Sequence, residues 1–246
     1  MDRLIYTAYS GMTGSTTRQR VIASNMANAQ TVGFRAEMLN AVPMTLKGPS
    51  LEARAMTEGE VRGASMKQGA MVETGNPLDV AMTGKDMLAV QAQDGTEVYT
   101  RRGDLSIDPT GVLVNGDGRP VVGDGGPVTV PLGSKVSIGP DGAVLVANPD
   151  TPEAPAQQVA KLKIASSEGS RIEKDLDGLF RVTGGGVLPD NEDARIQVGT
   201  LEQSNVDPTA ILVEMVEAQR LFDIRTKLVS TAREVDEGSA QLMRLT

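Results

Sequence analysis

DPTAILVEMVEAQRLFDIRTKLVSTAREVDEGSAQLMRLT, Asp207 to Thr246, is the stretch whose reading decides the fold. Asp207 is suited to an N-cap, where a side-chain carboxylate accepts from the free N–H groups of the first turn, and Pro208 to the first helical position, which has no N–H to satisfy. Beyond them, apolar residues recur every three or four positions, the signature of a helix face. There are two such rows side by side. One runs through Ile211, Met215, Ala218, Phe222, Val229 and Ala232, the other through Leu221, Ile224, Leu228, Thr231, Val235 and Leu242. A stripe two rows wide covers more of a helix than one partner buries. The central helix of an ordinary bundle would show the same stripe, but only two helices of this kind are legible and a bundle needs three or more. From Thr209 to Arg244 such a helix would be roughly 54 Å long, more than the width of a small domain, and is expected to project.

The matching helix lies at the other end of the chain. Ile5, Ala8, Met12, Ser15, Gln19, Ile22, Met26 and Ala29 are spaced alternately by three and four, a heptad seam with a polar centre. Gly11, Gly14 and the Ser and Thr residues around them lower its intrinsic stability, by up to about 1 kcal/mol per glycine against Ala. Both ends are therefore expected to be incompletely ordered in an isolated subunit and to become helical on assembly. Residues 1 to 40 carry four basic and two acidic side chains and residues 207 to 246 five and seven, so the ends have opposite signs. Such exposed charges contribute little by themselves.

All 13 prolines, the last of them Pro208, and most of the glycines fall between residues 40 and 209. Short pieces rich in Val, Leu, Ile and Thr alternate there with turn signals: Met87 to Gln91, Glu97 to Thr100, Gly111 to Val114, Val128 to Pro131, Lys135 to Ile138, Ala143 to Ala147, Val159 to Ala165, Leu179 to Thr183 and Ile196 to Leu201. Asp94-Gly95, Asn115 to Gly118, Asp124 to Pro127 and Pro140 to Gly142 supply the turns. The pattern predicts an antiparallel all-β domain, and hence an α+β chain with long terminal helices that pair in a coiled-coil-like manner. Residues 34 to 75 show weak periodicity and read as extended connecting chain.

Composition removes many functions. The 246 residues include no Cys and no His, which excludes thiolate and imidazole metal sites and the Ser-His and Cys-His nucleophile systems. A net charge of -8 is the wrong sign for a phosphate-backbone binder, so nucleic acid is not an expected partner. The longest apolar run is the five residues Ala143 to Ala147, against roughly 20 for a membrane span. The opening residues lack the apolar stretch of a cleaved secretory signal, so any export is expected by another route. A helix lying on a membrane surface at residues 2 to 29 is opposed by Ser15 and Gln19, which break its apolar face.

Four local features imitate chemistry. Gly116 to Gly118 and Gly184 to Gly186 complete no phosphate-loop pattern and read as turns. Glu173, Asp175, Asp177 and Gly178 copy the first half of a calcium loop, but Gly184 stands where its bidentate Glu belongs. Asp104, Asp108, Asp117 and Asp124 could be paired as glycoside-hydrolysing acids, yet spacing singles out no pair. Tyr99 and Phe180, two aromatics in the β section, make a thin platform for sugar stacking. No catalytic residue, metal or cofactor is expected, and no small-molecule substrate.

Four longer motifs are more specific in combination: SNMANAQTVGFR (Ser24 to Arg35), NPLDVAMTG (Asn76 to Gly84), YTRRGDLSIDPTGVLVNGDGRPVVG (Tyr99 to Gly123) and GTLEQSNVDP (Gly199 to Pro208). With them the chain resembles, essentially end to end, the bacterial flagellar basal-body rod and hook family. Asn25, Asn28, Thr31, Gly33 and Phe34, with Asn76, Pro77, Leu78 and Asp79, are the motif positions. One departure is Lys85-Asp86-Met87-Leu88, where the family commonly places an aromatic pair.

The resemblance implies a non-enzymatic structural subunit of the rod, of the proximal kind from its opening residues and length; a distal rod or hook subunit is the near alternative. A carbohydrate-binding or hydrolytic β domain on an oligomerisation stalk is the alternative of another class. It also implies export through the flagellar type III apparatus, a place in the periplasm-spanning rod, and partners that are other rod subunits and copies of the same chain. On this reading residues 1–33 are an axial helix, 34–75 the connecting segment, 76–198 the β domain, and 199–246 a return segment and the second axial helix. The expected assembly contacts are Ile5, Ala8, Met12, Ile22, Met26, Ile211, Met215, Phe222, Leu228, Val229, Val235 and Leu242. The row led by Phe222 and Val229 is expected to face the first helix and the row led by Leu228 and Val235 neighbouring subunits.

Overall fold

The computed structural model describes residues 3–45, 55–147, 155–175 and 177–244. Helix α1 (Arg3–Ala27) comes first and helix α2 (Pro208–Arg244) last. Between them lie β1 (Glu37–Thr45), β2 (Ala55–Ala64), β3 (Met71–Glu73), β4 (Val80–Met82), β5 (Asp86–Gln91), β6 (Glu97–Thr100), β7 (Leu105–Ile107), β8 (Leu113–Asn115), β9 (Val122–Gly123) and β10 (Gly126–Pro127). They are followed by β11 (Lys135–Ile138), β12 (Ala143–Ala147), β13 (Gln157–Lys161), β14 (Ile164–Ser166), β15 (Ile172–Lys174), β16 (Phe180–Val182), β17 (Ile196–Val198) and β18 (Thr200–Glu202). The chain divides into two units. A helical unit holds Met1–Ala27, Glu37–Gly63 and Val206–Thr246, and a central unit holds Asn28–Ala36 and Ala64–Asn205.

In the helical unit α1 and α2 pack along one another. Asp207 does cap α2: its Oδ1 accepts from the N–H of Thr209 at 2.8 Å and of Ala210 at 3.2 Å. The seam of α1 stops at Ala27, and Ala29 lies in the turn that follows, where Thr31 N–H donates to the Asn28 carbonyl at 3.1 Å. The stretch expected to be connecting chain includes β1 and β2, which pair with each other as a separate two-stranded sheet. A two-stranded ribbon need not bury one face along its length, so its sequence carries little alternation.

The central unit is antiparallel throughout its described strand pairs, with a five-stranded sheet in the order β14-β5-β6-β16-β15 and a three-stranded one in the order β11-β12-β13. Its core follows from the period of two along a strand. In β5, Leu88 and Val90 belong to one buried cluster and Met87 and Ala89 to another; in β6 and β14, Val98 and Ile164 join the first, and Tyr99 and Ala165 the second. Both faces of this sheet are covered, which is why MLAV reads as a continuous apolar run. Met87, at the departure from the family pattern, is fully buried beside Tyr99 and Phe180, so aromatics from neighbouring strands fill that side.

Three expected strands differ. Val159 to Ala165 breaks at Leu162 and Lys163, its first part lying in β13 on β12 and its second in β14 on β5. Val128 to Pro131 is no regular strand: Val128 and Val130 donate to Val121 and Gly111, while Pro127 and Pro131, having no N–H, interrupt the ladder. Ile196 to Leu201 changes partner at Gly199, with β17 on β4 and β18 on β3. Gly33 sets a tight constraint near the start of this unit. It adopts φ of +69°, and a Cβ there would stand 2.4 Å from the Arg101 carbonyl carbon. Gly33→Ala is therefore expected to destabilise the central unit by about 2–4 kcal/mol, measured as a lower urea midpoint with unchanged slope.

Candidate functional site

The two rows of α2 separate in their exposure. Ile211 and Ala218 are buried, and Met215, Phe222, Val229 and Ala232 are half-buried. In the other row Leu221 is half-buried, while Ile224, Leu228 and Val235 are 50%, 55% and 56% exposed, joined by Val213 at 58%. On α1, Ser15, Val21, Ile22 and Asn25 are buried and Met12, Gln19 and Met26 half-buried. Ile5, Ala8 and Leu242 lie on the helices, with their side chains outside the described residues.

Arg225 is the side chain of the helix pair that apolar periodicity alone missed. Its Nη1 donates to the Gly11 carbonyl and to the Ser15 hydroxyl, so the polar centre of the α1 seam is a docking point for a guanidinium. A signal was present: Arg225 stands three residues after Phe222 and four before Val229, inside the buried row. A Cβ at position 11 would meet Arg225 at 3.7 Å, in ordinary contact, so the docking itself does not require a glycine there.

The motif residues are structural. Asn25 copies a strand partner for Glu37, its Nδ2 donating to the Glu37 carbonyl at 3.0 Å and its Oδ1 accepting from the Glu37 N–H at 2.8 Å. Thr31 Oγ1 donates to Asn28 Oδ1 at 3.2 Å, Gly33 N–H to the Glu202 carbonyl at 2.7 Å, and the Phe34 ring carries the Lys174 ammonium 3.6 Å from its centroid. The second set closes a turn around a buried acid. Asp79 accepts from Asn76 Nδ2 at 2.9 Å and Thr74 Oγ1 at 2.6 Å, while its carbonyl accepts from Gly199 N–H at 2.8 Å. Pro77 offers its carbonyl to Ile138, and Leu78 packs on the larger core cluster.

The features that imitate chemistry are engaged in the same way. Asp104 and Asp117 both pair with Arg102. Asp108 accepts from Thr110 Oγ1 at 2.6 Å and from Val112 N–H at 3.0 Å, bonds that hold its carboxyl below the usual range. Asp175 and Asp177 lie 3.0 and 2.7 Å from Arg181, whose hydrogen bond is the main cause of the lowered Asp177 pKa. Gly118 and Gly184 to Gly186 all take positive φ in turns. Tyr99 and Phe180 are buried, so neither offers a face for sugar stacking. Burial, then the hydrogen bond to Glu97, pushes the Tyr99 hydroxyl well above its ordinary pKa. Among the described residues no helix is long and apolar enough to cross a membrane, and no cluster of acids could hold a metal.

Three family models match the chain: a flagella basal body rod protein model over residues 5–35, the D1 domain of the flagellar hook protein FlgE/F/G over 81–146, and the C-terminal region of the flagellar basal body rod FlgEFG proteins over 197–242. The flagellar basal-body rod protein FlgF of Salmonella typhimurium is 40% identical over 253 residues, covering all of both chains, and that of Escherichia coli is 39% identical over all of this chain and 98% of its own. FlgG of Bacillus subtilis is 31% identical over 99% of this chain and 100% of its own. With full-length identity at this level, the chain belongs to the flagellar basal-body rod protein family, as a FlgF-like, non-enzymatic structural subunit of the rod.

Proposed function

We propose that the subunit assembles through its terminal helices, with α1 and the buried row of α2 forming the internal pair and the exposed row of α2 packing against neighbouring rod subunits and copies of the same chain. The observation that carries this is the exposed line of Val213, Ile224, Leu228 and Val235 on a helix whose other row is buried or half-buried. An apolar line of this length on a solvated helix has its use in contact with another molecule. Head-to-tail packing of such surfaces generates an open helical array, the geometry a rod requires. Length supports the same reading. α2 has 37 residues and α1 has 25, so about 18 Å of α2 has no counterpart on α1.

The central unit carries lateral contacts and stiffness, so that torque passes along the array. The chain reaches its site through the flagellar type III export apparatus, the route that membership of the rod family implies. Burial in the helical unit is thin: on α2, Ile211 and Ala218 are the buried side chains among the described residues after its cap. Helix formation in the isolated subunit therefore has little packing to support it, and it is completed on assembly.

Leu228→Asp is expected to block rod assembly while leaving the monomer's stability within about 0.5 kcal/mol, because the site is exposed before assembly and buried after it. Val229→Asp, on the covered row, is expected to loosen the helix pair in the monomer as well. Normal rods and motility with Leu228→Asp would overturn the assignment. Removing the last ten residues is expected to stop assembly without stopping secretion, read by comparing culture supernatant with purified basal bodies. Circular dichroism of the dilute monomer is expected to show less helix than the assembled state; full helix content at high dilution would contradict assembly-coupled ordering.

A further inference from the structure

Three stretches of sequence far apart in the chain, GFR at 33–35, YTRRG at 99–103 and LEQSN at 201–205, meet at a single buried carboxylate. Glu202 is 1% exposed, as are Arg35 and Arg101. Glu202 Oε2 accepts from Arg101 Nε at 2.9 Å and Nη2 at 2.6 Å. Its Oε1 accepts from the Gly69 N–H at 2.8 Å and lies 2.7 Å from Arg35 Nη2. Its backbone carbonyl takes the Gly33 N–H at 2.7 Å. Arg101 uses its remaining donors on the carbonyls of Met82, Gly84 and Asp86, so the β4–β5 turn is gathered in too. Gly69 is required for the approach: a Cβ there would fall 1.9 Å from the Gln203 carbonyl oxygen.

Beside this centre Asn205 does the same work with an amide. Its Oδ1 accepts from Ala36 N–H at 2.7 Å, and its Nδ2 donates to the carbonyls of Ser65 at 2.9 Å and Lys67 at 2.8 Å. Residues 36, 64 and 205 are three of the four places where the chain passes out of or into the central unit, the other being residue 28. The Glu202 and Asn205 side chains thus tie together the backbone at these passages.

We propose that Glu202, with Arg101, is a latch that closes the neck of the central unit and holds its chain passages in register, as a positioning device separable from the stability of the β core. The two arginines have unequal parts in it. Arg101 spends its donors on Glu202 and three carbonyls. Among the described residues Arg35 makes one ion contact, and its Nε and Nη1 find no acceptor. Burial and the neighbouring Arg101 lower its pKa against the attraction of Glu202. Replacing Arg35 by an apolar chain of similar volume removes an under-satisfied buried charge and leaves Glu202 paired with Arg101, whereas removing the shared carboxylate leaves two buried cations without a partner. The latch works within the central unit and is independent of how the helices assemble.

The test is native-state amide exchange on the full chain, comparing neck amides (Gly33, Gly69 and Gln203) with core amides (Ala89, Gln91 and Leu113). Glu202→Gln is expected to speed exchange at the neck by about tenfold or more while the core amides keep their protection. Arg35→Met is expected to leave both sets within about threefold. Arg101→Lys, which keeps the charge and loses the fork, is expected to behave like Glu202→Gln. Unchanged neck protection in Glu202→Gln would overturn the latch. So would an equal loss at neck and core, which would make the group an ordinary stability determinant. If Glu202→Gln does not fold, Glu202→Asp is read in its place: it keeps the charge but is too short to hold Oε1 on Gly69 and Oε2 on Arg101 together. Faster exchange at the neck alone then supports the latch, and unchanged or uniformly faster exchange overturns it.

Discussion

A carboxylate taken out of water must be met by enough donors to replace its hydration, and in the central unit that requirement falls on Glu202. Desolvating one such ion costs several kcal/mol, and the cost is offset only where geometry supplies several short charge-assisted bonds at once. Arg101 can supply them because its guanidinium is a rigid fork, with one edge for the carboxylate and the rest for backbone carbonyls. A lysine at the same position has no second edge. The consequence reaches through sequence order: residues near 35, 69, 84, 101 and 202 are brought to one place by a group that is stable nowhere else.

The many acids of this chain have a different use from the one their number suggests. Asp94 Oδ1 accepts from Thr96 N–H, Asp108 Oδ1 from Thr110 N–H, Asp141 Oδ1 from Ala143 N–H and Asp177 Oδ1 from Leu179 N–H, in each case two residues ahead. An acid bonded in this way fixes a turn by mimicking a backbone carbonyl. Asp94 and Asp108 also take their threonine hydroxyls, and those hydrogen bonds keep both carboxyls below the ordinary range. Carboxylates tuned downward and tied to their own turns are poor acids at neutral pH and poor bases as well. The turns of the central unit are locked by the residues that might have been read as its chemistry.

Legibility followed the strength of local signals. The cap at Asp207, the two rows of α2 and strands such as Lys135–Ile138 and Ala143–Ala147 were plain, because propensity, punctuation and periodicity agree there. Short strands such as Val80–Met82 and Leu105–Ile107 were not, since three residues cannot display a period and pairing decides them from outside. Glu202 and Arg101 escaped notice for a related reason. A charged residue in or beside a strand reads as a solvent-facing position until the chain that covers it is known, and Glu202 is met by Gly69 and Arg101, 133 and 101 residues away. The motif positions were found by resemblance, but their work in holding turns and passages is visible only in the bonds made by Asn25, Asp79 and Asn205.

The contrast between the two units explains why one surface can remain unfinished. The central unit buries both faces of its main sheet, so its core is closed within the subunit. The helical unit leaves Val213, Ile224, Leu228 and Val235 in water on a helix too long for its companion. A net charge of -8 per subunit opposes the indiscriminate sticking that such a row invites. Screening confines that repulsion to about 8 Å at physiological ionic strength, so it weighs on loose encounters and is overcome where an apolar row is buried along its length. Partial contacts lose to repulsion and side-chain entropy; a contact in register gains roughly 25 cal/mol for each Å² of apolar surface covered. In the proposed assembly, the same exposed row that weakens the solitary subunit thereby makes its association selective for geometry.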